Sequence, residues 1–378
     1  MLNGFSFIHT ADWHFWDKHK YSINNSRLKI LERNARKIIK YAIKCKIKVV
    51  FIAGDITHTY NPDERILKIL SRIFKLAIDN GVMIRIITGN HDTDGLTHSL
   101  ESLQNILSSF NTDMIKIYSF DNSVINCSYR EYFTNDNATF AVTYIPYQRD
   151  MAGAITSAAK MTEQFDKNFT NILIAHCPVN GAIASTGKRI KSKIKRKLFG
   201  VWDYIALGDY HKHQKLANNM YYSGSIIRIN KGERNDQKSF IYVTMTGNKK
   251  GFSKKRIRLD DIELISYKIK YESINGNIEK ISKINGRLVS GAIINLLIYG
   301  DIGTGEKLVK LKNALYKGGA AEVYPKFLGV VKPSNKNYGE SDIELSFDIA
   351  ESCERYAKRK NVGKESLQYG IDKINLVR

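Results

Sequence analysis

Val49-Val50-Phe51-Ile52-Ala53-Gly54-Asp55-Ile56-Thr57-His58 opens with five consecutive apolar residues and then sets a glycine and a carboxylate directly after them. An unbroken run of that length, rich in β-branched and aromatic side chains, suits a strand buried on both faces, because alternate side chains then meet apolar neighbours on opposite sides. The flanking sequence carries the same message. Upstream, Ser26 to Lys46 sets Leu28, Leu31, Ala35, Ile38, Ile39 and Ala42 at helical spacing, with Lys and Arg on the other face. Downstream, Glu64 to Asn80 reads as a second amphipathic helix stopped by Gly81, and Met83 to Ile87 as another strand. Phe5 to His9 supplies the first strand. Strand, loop and helix alternate, which predicts a layered α/β domain with its sheet covered on both faces.

Further strands are expected at Phe140 to Tyr144, Ile172 to Ala175, Tyr204 to Leu207 and Phe240 to Thr244. From about Ile265 the pattern changes. Glu263 to Glu272 and Gly291 to Tyr299 read as strands, Glu306 to Tyr316 as a helix, and Ala320 to Val331 as a further strand. The chain therefore divides into a main domain at 1–262, a small C-terminal α/β accessory domain at 263–335, and a charged helical tail at 336–378.

With 378 residues and 43% apolar content, the chain is long enough for one large core and a smaller unit. No window approaches the roughly 18 apolar residues of a membrane span. Met1 to Thr10 lacks the basic start and long apolar stretch of a signal peptide, so the expectation is a cytoplasmic protein with no membrane partner. Cys45, Cys127, Cys177 and Cys353 contain no Cys-x-x-Cys pair, which argues against a zinc-thiolate site and a disulfide framework. Charge is more informative: 59 Lys and Arg against 37 Asp and Glu leave +22, a field that attracts polyanions, nucleic acid foremost. A composition rich in Lys, Ile and Asn would produce part of that excess on its own.

Five polar clusters follow the strand-like runs in order. Asp12 and His14 stand two apart past the first strand, where an extended backbone would point both the same way. Gly54-Asp55 follows the second strand, and Gly89-Asn90-His91-Asp92 the third; His176 lies in Ala-His-Cys-Pro, and Asp209 and His211 in Leu-Gly-Asp-Tyr-His. Singly, each is a turn. Together they offer carboxylate, imidazole and amide donors with no thiolate, a set suited to manganese, iron or zinc more than to an all-oxygen calcium or magnesium site. Two cations held about 3.5 to 4 Å apart need a bridging carboxylate, and Asp55 is the natural one.

The order Asp-x-His, Gly-Asp, Gly-Asn-His-Asp, His, Gly-x-x-His resembles the calcineurin-like metallophosphoesterases. More narrowly, Asp203 to Gln214, with Tyr222-Ser-Gly-Ser225 and Arg228, is similar to the SbcD-type (Mre-type) repair nucleases over residues 5–245. The resemblance implies a layered metallophosphoesterase sandwich of β-sheets flanked by helices. It also implies two divalent metal ions, manganese foremost, with magnesium, iron or zinc as substitutes. The first would be held by Asp12, His14, Asp55 and His211, and the second by Asp55, Asn90, His176 and Asp209. His91 would touch the scissile phosphate or protonate the leaving oxygen, with Asp92 orienting its ring. Asp209 departs from the pattern, since the family usually has histidine there; as a harder anionic donor it would make the second site more tolerant of manganese or magnesium, and the alternative is that it stands behind the ligands and leaves that metal weakly held. His58 reads as structural or as an edge of the substrate site, and His9 as packed in the first strand; His19, His98 and His213 read as surface or rim. Gly300 to Lys307 is no phosphate-binding loop, because Glu306 stands where the lysine must follow Gly305.

Lys188, Arg189, Lys191, Lys193, Lys195, Arg196 and Lys197 fall between the His176 and Asp209 motifs. That position nominates them for contact with the DNA backbone, which adds affinity and salt dependence without sequence choice. The resemblance further implies an SbcC-type coiled-coil ATPase partner that grips the tail, with Ile349, Cys353, Tyr356 and Ala357 as one apolar face. The expected assembly is a homodimer within a heterotetramer. The expected activity is that of a metal-dependent DNA exonuclease and endonuclease. Hydrolysis of small phosphoesters and an inactive scaffold on the same fold are the alternatives.

Overall fold

The structure, a computed structural model, describes residues 4–16, 26–94, 100–101, 103, 105, 113–121, 123–135, 138–246, 251–274, 279–300 and 306–328. His19, His98, the last residues of the strand expected to reach Val331, and the tail at 336–378 with Cys353 lie outside the described residues.

In chain order the elements are β1 (Phe5–Thr10), α1 (Ser26–Lys44), β2 (Val49–Ala53), α2 (Glu64–Asp79), β3 (Met83–Ile87), β4 (Ile115–Tyr118), β5 (Tyr129–Asn135), β6 (Ala138–Ile145), α3 (Met151–Phe165), β7 (Thr170–His176), β8 (Tyr204–Gly208), β9 (Gln214–Ala217), β10 (Met220–Tyr222), β11 (Ser239–Met245) and β12 (Phe252–Arg258). A second compact unit begins at Glu263. It holds β13 (Leu264–Lys270), β14 (Lys283–Ile284), β15 (Arg287–Leu288), β16 (Ile293–Tyr299), α4 (Glu306–Lys317) and β17 (Glu322–Phe327).

The alternation inside β2 sorts its side chains into two layers. Val49, Phe51 and Ala53 join an apolar layer with Phe140, Val142, Tyr144, Ile172, Ile174 and Tyr204. Val50 and Ile52 instead pack with Leu31, Ile38, Ile69 and Phe74 of α1 and α2. The sheet read from periodicity is two six-stranded sheets, stacked on each other through one face and covered by helices on the other, the sandwich of β-sheets flanked by helices that the family resemblance implied. One sheet runs β12-β11-β1-β2-β3-β4 and the other β5-β6-β7-β8-β10-β9. The second is covered by α3, whose Met151, Ala154, Ile155 and Ala158 pack on Leu173, Ala175, Ile205 and Leu207. Four layers result, a mixed α/β sandwich.

β1 to β4 are parallel, and so are β6, β7, β8 and β10; the antiparallel pairings fall toward the sheet edges. Parallel strands of one sheet end on one side, and their following loops gather there. His9 is buried, as its strand position implied, and ties the sheets together: Nδ1 lies 3.1 Å from the Tyr204 hydroxyl and Nε2 3.2 Å from the Leu207 carbonyl. Burial drives its pKa down to about 3, so it remains neutral at pH 7.

In the second unit β13, β16 and β17 form a parallel sheet, with α4 connecting β16 to β17. Leu296, Ile298, Leu311, Leu315 and Val323 fill its core. β14 and β15 turn through Asn285-Gly286, both at positive φ (48° and 77°), the two-residue hairpin that matches strand twist.

One polar cluster interrupts the inter-sheet layer. Arg85 of β3 forms a two-pronged bond with Glu131 of β5, at 2.7 Å to each oxygen, and the Tyr144 and Tyr118 hydroxyls donate to the same carboxylate at 2.9 and 3.2 Å. Burial works to raise the Glu131 carboxyl, but Arg85 overrides it and holds the group below its ordinary value. A carboxylate lowered by folding adds stability above its unfolded pKa and loses that contribution as pH falls through the folded value. Glu131→Gln is expected to cost about 3 kcal/mol at pH 7, because it strands a buried guanidinium. The deficit should shrink below about pH 4 in denaturant titrations; a deficit equal at pH 7 and pH 3 would show that the pair adds no pH-dependent stability.

Candidate metal centre

Every expected ligand stands at or just past the end of a parallel strand. Asp12 and His14 follow β1, Asp55 follows β2, and Asn90 and His91 follow β3; His176 is the last residue of β7, and Asp209 and His211 follow β8. The backbone there is not extended. Asp12, His14, Asp55 and Asp209 have φ of 53°, 48°, 54° and 108°. Asp12 and His14 therefore do not face one way through strand alternation, as the sequence suggested. They converge because their amides dock on the loop after β2: Asp12 N donates to the Gly54 carbonyl (3.0 Å), His14 N to that of Asp55 (2.9 Å) and Phe15 N to that of Ile56 (2.8 Å). Positive φ at a non-glycine residue costs on the order of 1 kcal/mol or more, and such strain gathers where surroundings over-determine the backbone.

Asp55 is the centre of the cluster. Its Oδ1 accepts from the His91 amide at 2.9 Å, which leaves Oδ2 facing two imidazoles: His14 Nε2 at 3.4 Å and His176 Nε2 at 3.5 Å. His14 comes from one sheet and His176 from the other. His211 Nε2 lies 3.0 Å from His14 Nε2, while Asn90 Oδ1 lies 3.0 Å and Asp209 Oδ1 4.0 Å from His176 Nε2. Asp12 Oδ1 accepts from the Asp209 amide at 3.0 Å, whereas its buried Oδ2 has no hydrogen-bond partner. Donor atoms of Asp12, Asp55 and His176 lie within 4.8 Å of one another, as do those of His14, His58 and His91. Glycine is required at Gly89, where a β-carbon would collide with the Asp55 carboxylate, and at Gly54 (φ 88°), where it would strike the His176 ring.

The imidazoles are held from behind. His176 Nδ1 lies 2.8 Å from the Ala53 carbonyl, which accepts its proton and frees Nε2 for the cluster. His211 Nδ1 lies 2.9 Å from Glu233 Oε1, and Glu233 in turn takes Lys238 Nζ at 2.6 Å and the Asn230 amide nitrogen at 2.7 Å. Burial opposes ionisation of Glu233, yet Lys238 and His211 bring its carboxyl down to about 2. The sequence offered no hint of Glu233, at the end of a short 3-10 turn, or of Lys238, since neither has a recognisable spacing to the motifs. His58 presents Nδ1 to His14 Nδ1 at 3.2 Å and stacks between Trp16 (4.5 Å) and His91 (5.0 Å).

Asp92 does not orient His91. The His91 Nδ1 proton goes to the His58 carbonyl at 2.8 Å, so that bond commits Nδ1 and not Nε2. Asp92 is fully buried and accepts from Thr57 N and Oγ1 (2.8 and 2.9 Å), Gly89 N (2.9 Å) and Ile56 N (3.2 Å). It pins the loop after β2 to the loop after β3, and so acts on the position of Asp55. The physical reason for the correction is competition: backbone amides outnumber and enclose the carboxylate before the neighbouring ring can reach it.

The donor set fits divalent cations. Burial raises the Asp12 carboxyl to about 7 despite His176 and His211, and it raises Asp209 as well. Burial would lower His176, but Asp55 lifts it to about 10, while Asp55 itself stays well below its usual range beside His176 and His14. Clustered buried carboxylates and imidazoles compete for protons, and a cation would replace those protons. The seven basic residues from Lys188 to Lys197 lie outside this cluster, exposed on the connection between β7 and β8.

Residues 5–213 match the calcineurin-like phosphoesterase family profile, more than half of the chain. The chain belongs to the calcineurin-like phosphoesterases. Membership makes it a metal-dependent hydrolase by type, and the paired donors around Asp55 are where calcineurin-like chemistry would sit. Three solved structures are similar at low identity. A dimetal phosphatase from Danio rerio is 11% identical, with 68% of this chain and 99% of that one covered and a TM-score of 0.38. The protein TT1561 of Thermus thermophilus is 8% identical, with 68% and 100% covered and a TM-score of 0.38. GAP50, the anchor in the inner membrane complex of Plasmodium, is 14% identical, with 68% and 89% covered and a TM-score of 0.40. At this degree of likeness they bear on neither substrate nor partner. Among the described residues, no helix is long and apolar enough to cross a membrane.

Glu233→Gln retains shape and removes the charge behind His211. Manganese affinity by calorimetry is expected to fall about tenfold to hundredfold with the circular dichroism spectrum unchanged. An unaltered dissociation constant would mean that His211 needs no such support.

Proposed function

We propose that the chain is a metal-dependent DNA phosphodiesterase, the exonuclease and endonuclease subunit of an SbcCD/Mre-type recombination and repair complex. The observation that carries hydrolysis is Asp55 Oδ2, which faces imidazoles from two sheets with Asp12, Asn90, Asp209 and His211 around them. Two divalent ions bound there, manganese foremost and magnesium, iron or zinc as substitutes, would polarise phosphoryl oxygens and lower the pKa of a water. His91 holds its ring by the Nδ1 bond to His58, and as the imidazolium it would deliver the second proton, on Nε2, to the leaving oxygen and be left neutral. Asp92 keeps the loops of Asp55 and His91 in register.

DNA, in preference to a small ester, is favoured by the net charge of +22 and by the exposed basic run on the connection that follows His176. The same manganese-supplemented assay separates the readings. Linear duplex, single-stranded DNA and a small phosphoester are each offered to wild type and His91→Ala. DNA cleavage that falls at least a hundredfold in the variant is expected. Activity confined to the small ester would make the protein a phosphatase or cyclic-nucleotide phosphodiesterase, and no activity in any form would leave a scaffold.

The reading includes a coiled-coil ATPase partner that grips residues 336–378, with the nuclease chain as a homodimer in the assembly. Deleting 336–378 is expected to abolish co-purification with that ATPase and to leave the remaining chain folded by circular dichroism. Undiminished recovery of the ATPase would remove the tail from the partner contact.

A further inference from the structure

The connection from β7 to β8 carries the basic run, and it is folded back on itself. Ile183 and Arg189 form an antiparallel bridge. Gly181 N donates to the Ile190 carbonyl (2.9 Å), Ile190 N to that of Ala182 (2.8 Å) and Asn180 N to that of Ile194 (2.8 Å), while Asn180 Oδ1 accepts from Ser192 N (3.1 Å). Ile194 and Phe199 are buried. Isoleucine therefore anchors the run, and the charged side chains between its anchors stay outside.

This folding makes a pocket of about 470 Å³, bordered by Asn180, Gly181, Arg189, Lys191, Lys195 and Arg196. Its floor is Gly181, at φ 87°, and a β-carbon there would stand 3.1 Å from Arg196 Nη2 and 3.8 Å from Arg189 Nη1. Two guanidinium groups thus converge on the residue whose missing side chain opens the space. Among the described residues no carboxylate lies within ion-pair distance of any of the four cations. Cations that repel one another around an open cavity are neutralised by an anion, and planar guanidinium forks match the paired oxygens of a phosphate.

We propose that this pocket grips one phosphate of the substrate strand at a fixed spacing from the metal centre. The proposal rests on the reading of the chain as a DNA phosphodiesterase and gives that reading a register. Gly181 lies five residues beyond His176, hence within ~17 Å of it along the chain. At ~3.4 Å of duplex axis per phosphate of one strand, the gripped phosphate is at most about five linkages from the one cut. The pocket would thus measure strand position without reading bases, which separates it from a diffuse basic field that any linkage satisfies.

A methylphosphonate walk tests it. Hairpin duplexes with one open end, each carrying a single neutral methylphosphonate linkage, are titrated with full-length protein in the His91→Ala background with manganese, and binding is read by fluorescence anisotropy. One linkage at a constant distance from the end is expected to cost on the order of tenfold in affinity. Arg189→Ala with Arg196→Ala should lose about that much on the unmodified duplex, lose nothing further at the sensitive linkage, and flatten log K against log salt by about 0.9. Both arginines are exposed, and circular dichroism verifies that the double variant is folded. Equal penalties at all linkages would overturn the proposal in favour of a diffuse field. A second arm titrates inorganic pyrophosphate into metal-free protein; saturable binding that needs both arginines, together with no position-dependent penalty on DNA, would assign the pocket to a small phosphate ligand and overturn the strand assignment. Failure of the wild type to cut any DNA with manganese would defeat the nuclease reading itself, whereas wild-type cleavage without a sensitive linkage in the binding walk defeats only the pocket.

Discussion

A single carboxylate oxygen, Asp55 Oδ2, faces imidazole nitrogens carried by two different sheets, at 3.4 and 3.5 Å. The rest of the main domain is arranged around that meeting. It requires the sheets to stack in one register, which the shared apolar layer of Phe7, Phe51, Phe140, Ile174 and Tyr204 supplies. It requires the strands to end on the same side, which parallel pairing supplies. It also requires the loops to approach more closely than side chains permit, hence glycine at Gly54 and Gly89.

The cost of such a cluster is electrostatic and conformational at once. Buried carboxylates and imidazoles lose hydration that no single hydrogen bond restores. Here the loss is met from behind: the Ala53 carbonyl for His176, the Glu233–Lys238 pair for His211, and backbone amides for Asp92. What they leave open faces inward. Asp12 Oδ2 without a partner and four residues at positive φ are features that hydrophobic folding alone would not select. Support of this kind also fixes tautomers, because each ring with its Nδ1 proton committed outward presents Nε2 to the centre.

Two local concentrations of charge stand out. The carboxylates of Asp12, Asp55, Asp92 and Asp209 lie at the strand ends, while seven arginines and lysines are exposed on the connection that leaves His176. The seven basic residues lie in one continuous stretch, but folding divides them: Arg189, Lys191, Lys195 and Arg196 border the pocket over Gly181.

By itself the sequence determined the layered α/β class, the strands whose ends carry the polar clusters, and the candidate set Asp12, His14, Asp55, Asn90, His176, Asp209 and His211 that folding brings together. Those are legible because apolar runs and helical spacing are local, and because a motif after a buried strand must emerge at that strand's end. Periodicity alone did not determine that there are two sheets; only the motifs' resemblance to the family implied them. β4, β5, β9, β10 and β12 are short or half-exposed, with little apolar signal, and whether a neighbouring strand or a helix covers a sheet face is settled only by what packs there. Asp92 shows the same limit within the site: its place beside His91 suggested a partner, yet four donors from two loops claimed it. Glu233 and Lys238 follow His211 by 22 and 27 residues and meet it only through the folded chain. Local periodicity writes the elements and their ends; the register of sheet on sheet, a property of the whole core, decides which oxygen faces which nitrogen.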